Sequence, residues 1–152
     1  MQDLDASGTG VRWLATEDEH PARDAARRSM DAVSRRDKDR WLGLFAENAV
    51  VEDPVGPSMF DPEGSGHHGR EAISAFWDAS VGQSERIEFL IRDSFAAGGE
   101  VANIGVITTT LPDGSAMDAE GVFTYKVDSN GSVLALRAFW EVDRAMGTLR
   151  QP

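Results

Sequence analysis

Cysteine is absent from this 152-residue chain, so it has no disulfide framework, no thiolate nucleophile and no cysteine-based zinc site. Basic residues are scarce beside acidic ones, 15 against 26, for a formal charge of −11. Nucleic-acid binding needs a basic face that displaces counterions from phosphates, so that class is disfavoured. Long apolar runs are missing too. The longest charge-free stretch, Val101 to Pro112, is too short to cross a bilayer. No signal-peptide pattern opens the chain. The expectation is a cytoplasmic protein with neither a nucleic-acid nor a membrane partner.

What is present reads as one soluble globular domain, with 41% hydrophobic and 27% charged residues. The negative charge is uneven. Residues 21–40 carry seven bases against four acids, whereas residues 41–152 carry seven bases against seventeen acids. The Arg/Asp interleaving of the basic stretch has helical spacing and reads as ordinary surface pairing.

Residues 1–15 mix Gly, Ser and Asp around Trp13 and show no periodicity, so they read as a mobile tail, with Trp13-Leu14 the alternative means of pinning it to the body or to a partner subunit. The domain proper is expected over residues 16–146, with a second tail over 147–152. Thr16 and Glu19 have capping-box spacing, and Pro21 suits a first helical turn. Ala22, Ala26, Ser29, Met30 and Val33 fall on one face and predict a helix over about 20–36. A short second helix is expected over DKDRWLGLF, burying Trp41, Leu42 and Phe45. A short strand from Ala49 ends at Asp53-Pro54, and a long Gly/Pro/Ser-rich loop follows it. A third helix spans about 70–82. The remainder is β: alternation at Ile87, Phe89 and Ile91, then strands over 101–110, 116–127 and 133–143. Gly98-Gly99, Pro112-Asp113-Gly114 and Asn130-Gly131 separate them. Three helices ahead of an antiparallel meander imply an α+β fold, its helices covering one face of a curved sheet.

One pair of carboxylates is out of place. Glu52 and Asp53 follow Val50-Val51 directly, so strand alternation puts one of the two on the apolar side. A carboxyl there is desolvated, its pKa rises, and it becomes a general base suited to neutral pH. The competing explanation is that Asp53 only opens a turn before Pro54.

The segments LFAENAVVEDPVG and NGSVLALRAFW, with the order of elements over residues 20–143, resemble the ketosteroid isomerase family. That family lies in the nuclear-transport-factor-like, or SnoaL-like, superfamily, and the resemblance is closest to its actinobacterial steroid Δ-isomerase-like members. It implies a cone-shaped curved sheet enclosing an apolar pocket, a homodimer and no cofactor. It also implies an intramolecular oxidoreductase that transposes a C=C bond of a steroid or similar polycyclic ketone. In these isomerases, themselves a familiar illustration of carboxyl pKa tuning, the aspartate of the motif is the general base, a role that maps onto Asp53. The family's oxyanion hole pairs a tyrosine on the first helix with a protonated aspartate on the third meander strand. Ungapped counting places Ser29 and Phe123 at those two positions, so both oxyanion donors are altered: a serine hydroxyl is too short to replace a phenol directly, and a phenyl ring donates nothing. Trp77 aligns with a tyrosine that supports the oxyanion network, and Trp140 with an aromatic pocket residue.

Ser29, Trp77, Phe123, Tyr125 and Trp140 are therefore the expected ligand-binding residues around Asp53. Tyr125 shares a strand face with Phe123 and has a hydroxyl to offer. Glu120 and Asp118 are expected on the opposite face, to be turned inward only by a bulge. His67-His68 point to opposite sides of an extended loop, so no metal is expected. Arg92 and Arg137 with Asp53 are the material for an epoxide-hydrolase set, which the strand parity of Arg137 disfavours. Two alternatives stand beside an isomerase: a binding protein for steroids or other hydrophobic ligands without chemistry, and a SnoaL-like polyketide cyclase or dehydratase.

Overall fold

The computed structural model describes residues 10–152. The expected tail over residues 1–9 lies outside them. Residues 10–15 are not a tail: Val11–Trp13 forms strand β1, parallel to β4, with Val11 opposite Phe89 and Trp13 opposite Ile91. Trp13 is further fixed by the Arg27 guanidinium, 4.5 Å above its ring.

Helix α1, Pro21–Ser34, begins with proline at its first turn, where a missing N–H costs nothing. Its cap differs from the expected Thr16–Glu19 box. His20 Nδ1 accepts from Ala22 N at 3.0 Å, and Thr16 Oγ1 instead accepts from Asp18 N at 3.1 Å. The buried face is built from Ala22, Ala25, Ala26 and Ser29, small side chains that let the helix lie close to the sheet. Arg36 leaves the helix with φ 59°, and its guanidinium donates to the carbonyls of Val81 and Ser84 at 2.9 and 2.6 Å. Helix α2, Lys38–Leu42, is capped by Asp37. It is shorter than expected, because Phe45 already opens strand β2, Phe45–Glu52.

The long loop returns as β3, His67–His68, which pairs antiparallel with β2 and leads into α3, Gly69–Ala79. A 3₁₀ turn over Val81–Gln83 follows. The meander is β4 (Arg86–Ala97), β5 (Glu100–Thr110), β6 (Ala116–Val127) and β7 (Val133–Phe139). The chain then turns into α4, Val142–Met146, where a continuing strand was expected. The expected C-terminal tail runs back along β6, with Arg150 bridged to Ala116.

The seven strands form one curved sheet in the order β1-β4-β5-β6-β7-β2-β3. It is mixed rather than purely antiparallel, since both β1–β4 and β2–β7 are parallel pairs. Its bend has a local cause. Gly105 and Gly121 face each other, and a Cβ on either would stand 2.0 or 2.1 Å from the carbonyl oxygen of Leu90 or Phe139. Only glycine admits so close a backbone approach, and β4 shifts register between Ile91 and Asp93 at the same level.

α1 is tied to the concave face by a buried polar chain. Arg23 Nε donates to Ser94 Oγ at 2.9 Å, Ser94 Oγ donates to Asn103 Oδ1 at 2.8 Å, and Asn103 Nδ2 donates to the Phe123 carbonyl at 3.1 Å. These bonds satisfy polar groups that would be costly to bury alone. Below them, Trp41, Phe45 and Trp77 pack ring against ring to close the base of the helical layer. The helices and the concave sheet thus leave an apolar interior open at one side.

Candidate active site

That interior is a cavity of about 320 Å³, large enough for a small polycyclic ligand. Aliphatic and aromatic side chains, among them Met30, Phe76, Phe89 and Leu136, make most of its wall. Exposed Gln83 and Leu111 mark its rim.

Of the adjacent carboxylates, Asp53 is the one that enters. Val51 and Asp53 share the inner side of β2; Val51 is fully buried and Asp53 lines the cavity. Glu52 points outward, where its Oε1 accepts from Arg137 Nε at 2.9 Å. The turn reading is also met, since the strand stops at Glu52 and the chain bends from Asp53 onward. Asp53 Oδ1 accepts from the indole N–H of Trp140 at 2.7 Å. Burial raises the Asp53 pKa, and the Trp140 bond and the nearby His67 only partly oppose it.

Ser29 and Tyr125 face each other across the cavity wall, Tyr125 Oη donating to Ser29 Oγ at 2.8 Å. Ser29 also accepts from the Trp41 indole N–H at 3.0 Å. Burial, together with the Asp53 charge, raises the Tyr125 pKa far above a phenol's usual value, so the hydroxyl stays protonated. Phe123, 2% exposed, adds an apolar wall and no hydrogen-bond donor.

Five of the six residues singled out in the sequence, Ser29, Asp53, Phe123, Tyr125 and Trp140, thus share one cavity. Trp77 does not join them. It is buried beside Trp41, ring centroids 5.1 Å apart, outside the cavity lining. The reason is angular: neighbouring Phe76 points into the cavity, and Trp77, about 100° further round the helix, points into the core.

Asp118 and Glu120 remain on the outer side. β5 and β6 pair without a register break, Asp118 meets Thr108 and Arg150, and Glu120 meets Arg144. Arg92 pairs with Glu120 as well, so neither it nor Arg137 enters the cavity beside Asp53. His67 stacks on Phe76 at 4.8 Å, and His68 Nε2 contacts the Ser65 carbonyl. Among the described residues no three His, Asp or Glu side chains converge as a metal site.

Two features were not singled out from the sequence. Trp41 anchors Ser29, and Phe60 of the long loop lines the cavity and stacks edge-on against Phe76 at 5.7 Å. Trp41 had a signal, as an aromatic one helix away from Ser29. Phe60, in an aperiodic loop, had none.

A half-open cone of helices on a bent mixed sheet, closing over one half-buried carboxylate, defines the nuclear-transport-factor-like class of α+β proteins. Within it the chain belongs to the SnoaL-like domain family, whose pattern it matches over residues 26–136. It is 31% identical over 117 residues to a steroid Δ-isomerase of Nocardioides simplex, a match covering 76% of this chain and 86% of that protein. Among solved structures it is similar to a Δ5-3-ketosteroid isomerase of Mycobacterium sp., with 34% identity and a TM-score of 0.79 over 88% of this chain and 100% of the other. It is also similar to a Mycobacterium tuberculosis protein crystallised with estradiol-17β-hemisuccinate. There the identity is 32% and the TM-score 0.78, over 87% of this chain and 99% of the other.

Proposed function

We propose that this protein is a steroid Δ-isomerase-like enzyme that binds a steroid or similar polycyclic ketone and moves an allylic proton, with Asp53 as general base. The observation that carries this reading is a lone carboxylate in an apolar cavity, its pKa raised by burial and its orientation set by Trp140. The similarity to the Nocardioides and Mycobacterium isomerases supports it. Asp53 takes the proton from the carbon between the ketone and the C=C bond, and the electron pair moves onto the ketone oxygen as a dienolate. The carboxylic acid so formed returns the proton at the far end of the diene. The double bond comes into conjugation, and Asp53 is a carboxylate again. No external base, oxidant or cofactor enters the balance. The test is turnover of a 5-ene-3-ketosteroid by the wild type and by Asp53→Asn.

A second reading has its own support: Phe123 puts a phenyl ring where the resemblance calls for a donating acid. On that reading the cavity holds the steroid without chemistry. Ligand-induced thermal stabilisation that survives Asp53→Asn, with no turnover by either protein, would favour it.

For assembly we propose a homodimer through the convex sheet face. Ile104, Val122 and Phe139 form a row across β5, β6 and β7 on that face, and Phe95 and Ile104 are exposed at 62% and 37%.

A further inference from the structure

The proton transfer proposed above leaves negative charge on the ligand oxygen, and in an apolar cavity that charge needs a hydrogen-bond donor. The candidates can be counted. The Trp140 N–H is engaged by Asp53, and the Trp41 N–H by Ser29. Ser80 and Ser84 donate to the backbone carbonyls of Phe76 and Ser80. Gln83 lies at the exposed rim, and Thr109 stands two residues from exposed Leu111, where water competes.

There remain the hydroxyls of Ser29 and Tyr125. Each carries one hydrogen, and one of the two makes their mutual bond. Apart from that bond, the only partner either has among the described residues is the Trp41 indole, which donates and cannot accept. The pair therefore holds one O–H hydrogen that no described residue accepts. Both side chains line the cavity and both are almost fully buried, at 1% and 5% exposed.

We infer that a ligand's carbonyl oxygen takes the Tyr125 hydrogen that otherwise goes to Ser29, the two hydroxyls rotating into a chain that runs Trp41 N–H to Ser29, Ser29 O–H to Tyr125, and Tyr125 O–H to the ligand. Acidity chooses this direction over one that leaves the Ser29 hydrogen free. Even with its pKa raised by burial, a phenol is a more acidic donor than an aliphatic alcohol, so it stabilises a developing enolate better. Tyr125 is the chain's single tyrosine. The phenol that the resemblance places on the first helix is thus delivered from β6, and Ser29 keeps space for it and orients it. Tyr125 touches the ligand; Ser29 and Trp41 are positioning residues.

The inference rests on the proposed proton transfer, and two experiments separate their fates. In steady-state turnover of a 5-ene-3-ketosteroid, Tyr125→Phe lowers kcat by about 10²–10³-fold with KM little changed. Ser29→Ala lowers it less. Tyr125→Phe within threefold of wild type, while Asp53→Asn is inactive, overturns the donor and leaves the base standing. So does a greater loss in Ser29→Ala than in Tyr125→Phe. The second experiment needs no turnover, and it decides the donor even if the wild type proves inactive. A fluorescent 2-naphthol is titrated into Asp53→Asn, with and without Tyr125→Phe, and its ionised form is read by emission. The naphtholate is expected to bind about tenfold or more tightly when Tyr125 is present. Equal affinity, or no binding to either protein, overturns the donor.

Discussion

The indole N–H of Trp140 donates to Asp53 Oδ1 over 2.7 Å, joining the residue that follows β7 to the residue that follows β2. The contact opposes the effect of burial. Desolvation favours the neutral carboxyl and the indole favours the carboxylate, so the base is held between two environments. It also fixes the carboxylate's direction, which matters for a group that must take a proton from one carbon and return it to another.

Trp140→Phe removes the bond and keeps a ring. The Asp53 pKa then rises further, because the charged form loses its donor. The acid limb of the kcat/KM profile for ketosteroid turnover moves to higher pH. The measurement is that profile for both proteins; coincident acid limbs would show that the indole does not tune the base.

Asp53 carries a stability cost that can be measured without substrate. Its pKa is higher folded than unfolded, so the folded state binds the proton more tightly. Stability from this group is present at acid pH and lost as pH rises from the ordinary carboxylate range through the raised value. Asp53→Asn removes that dependence. Its Tm exceeds the wild type's at pH 7, and the gap closes toward pH 3. A gap independent of pH would contradict the burial argument.

Gly105 and Gly121 are expected to be intolerant of any side chain. A Cβ at Gly105 would meet the Leu90 carbonyl oxygen at 2.0 Å, and one at Gly121 the Phe139 oxygen at 2.1 Å. Neither obstacle is a flexible side-chain end, so the backbone itself must move. Gly105→Ala should cost about 3 kcal/mol or more, read by urea denaturation. Gly131→Ala is no control, because φ at Gly131 is 81°. Gly43→Ala, at φ −65° with its nearest neighbour 3.4 Å away, is one and should be close to neutral.

The convex face gives a further expectation. Light scattering should return twice the chain mass, and Phe139→Asp, on an exposed ring beside Arg137, should halve it without loss of folding. A monomeric wild type would remove the proposed dimer and leave the site argument untouched.

The larger elements were legible because each is long enough to show its own period. Helices α1 and α3 and the four meander strands fall close to where 3.6- and 2-residue spacing put them. The short elements were not. β1 has three residues and β3 two, too few for alternation to register, and each exists because a neighbouring strand offers it an edge. α4 follows a strand that read as continuing, and nothing in Trp140-Glu141 announces the turn. The parallel pairings of β1 and β2 depend on loops closing over long sequence distances, which local pattern does not encode.

In the site, alternation reduced Glu52 and Asp53 to one inward carboxylate, and the β2–β7 pairing chose between them by giving Glu52 to Arg137. Ser29 stands where the resemblance places a phenol, and nothing next to it in the sequence supplies one. Its meaning came from Tyr125, ninety-six residues away, whose hydroxyl ends 2.8 Å from it. Trp77 was assigned to the pocket by alignment, but its direction depended on a rotation of one residue around α3.

The most direct test of the account is the rate at which purified wild type and Asp53→Asn convert a 5-ene-3-ketosteroid into the conjugated enone, followed by its ultraviolet absorbance. The wild type is expected to turn the steroid over, and Asp53→Asn to lose about 10²-fold or more in rate. The variant still gains thermal stability from the steroid. A wild-type rate no greater than buffer, or an equal rate in Asp53→Asn, would contradict the proposed proton transfer.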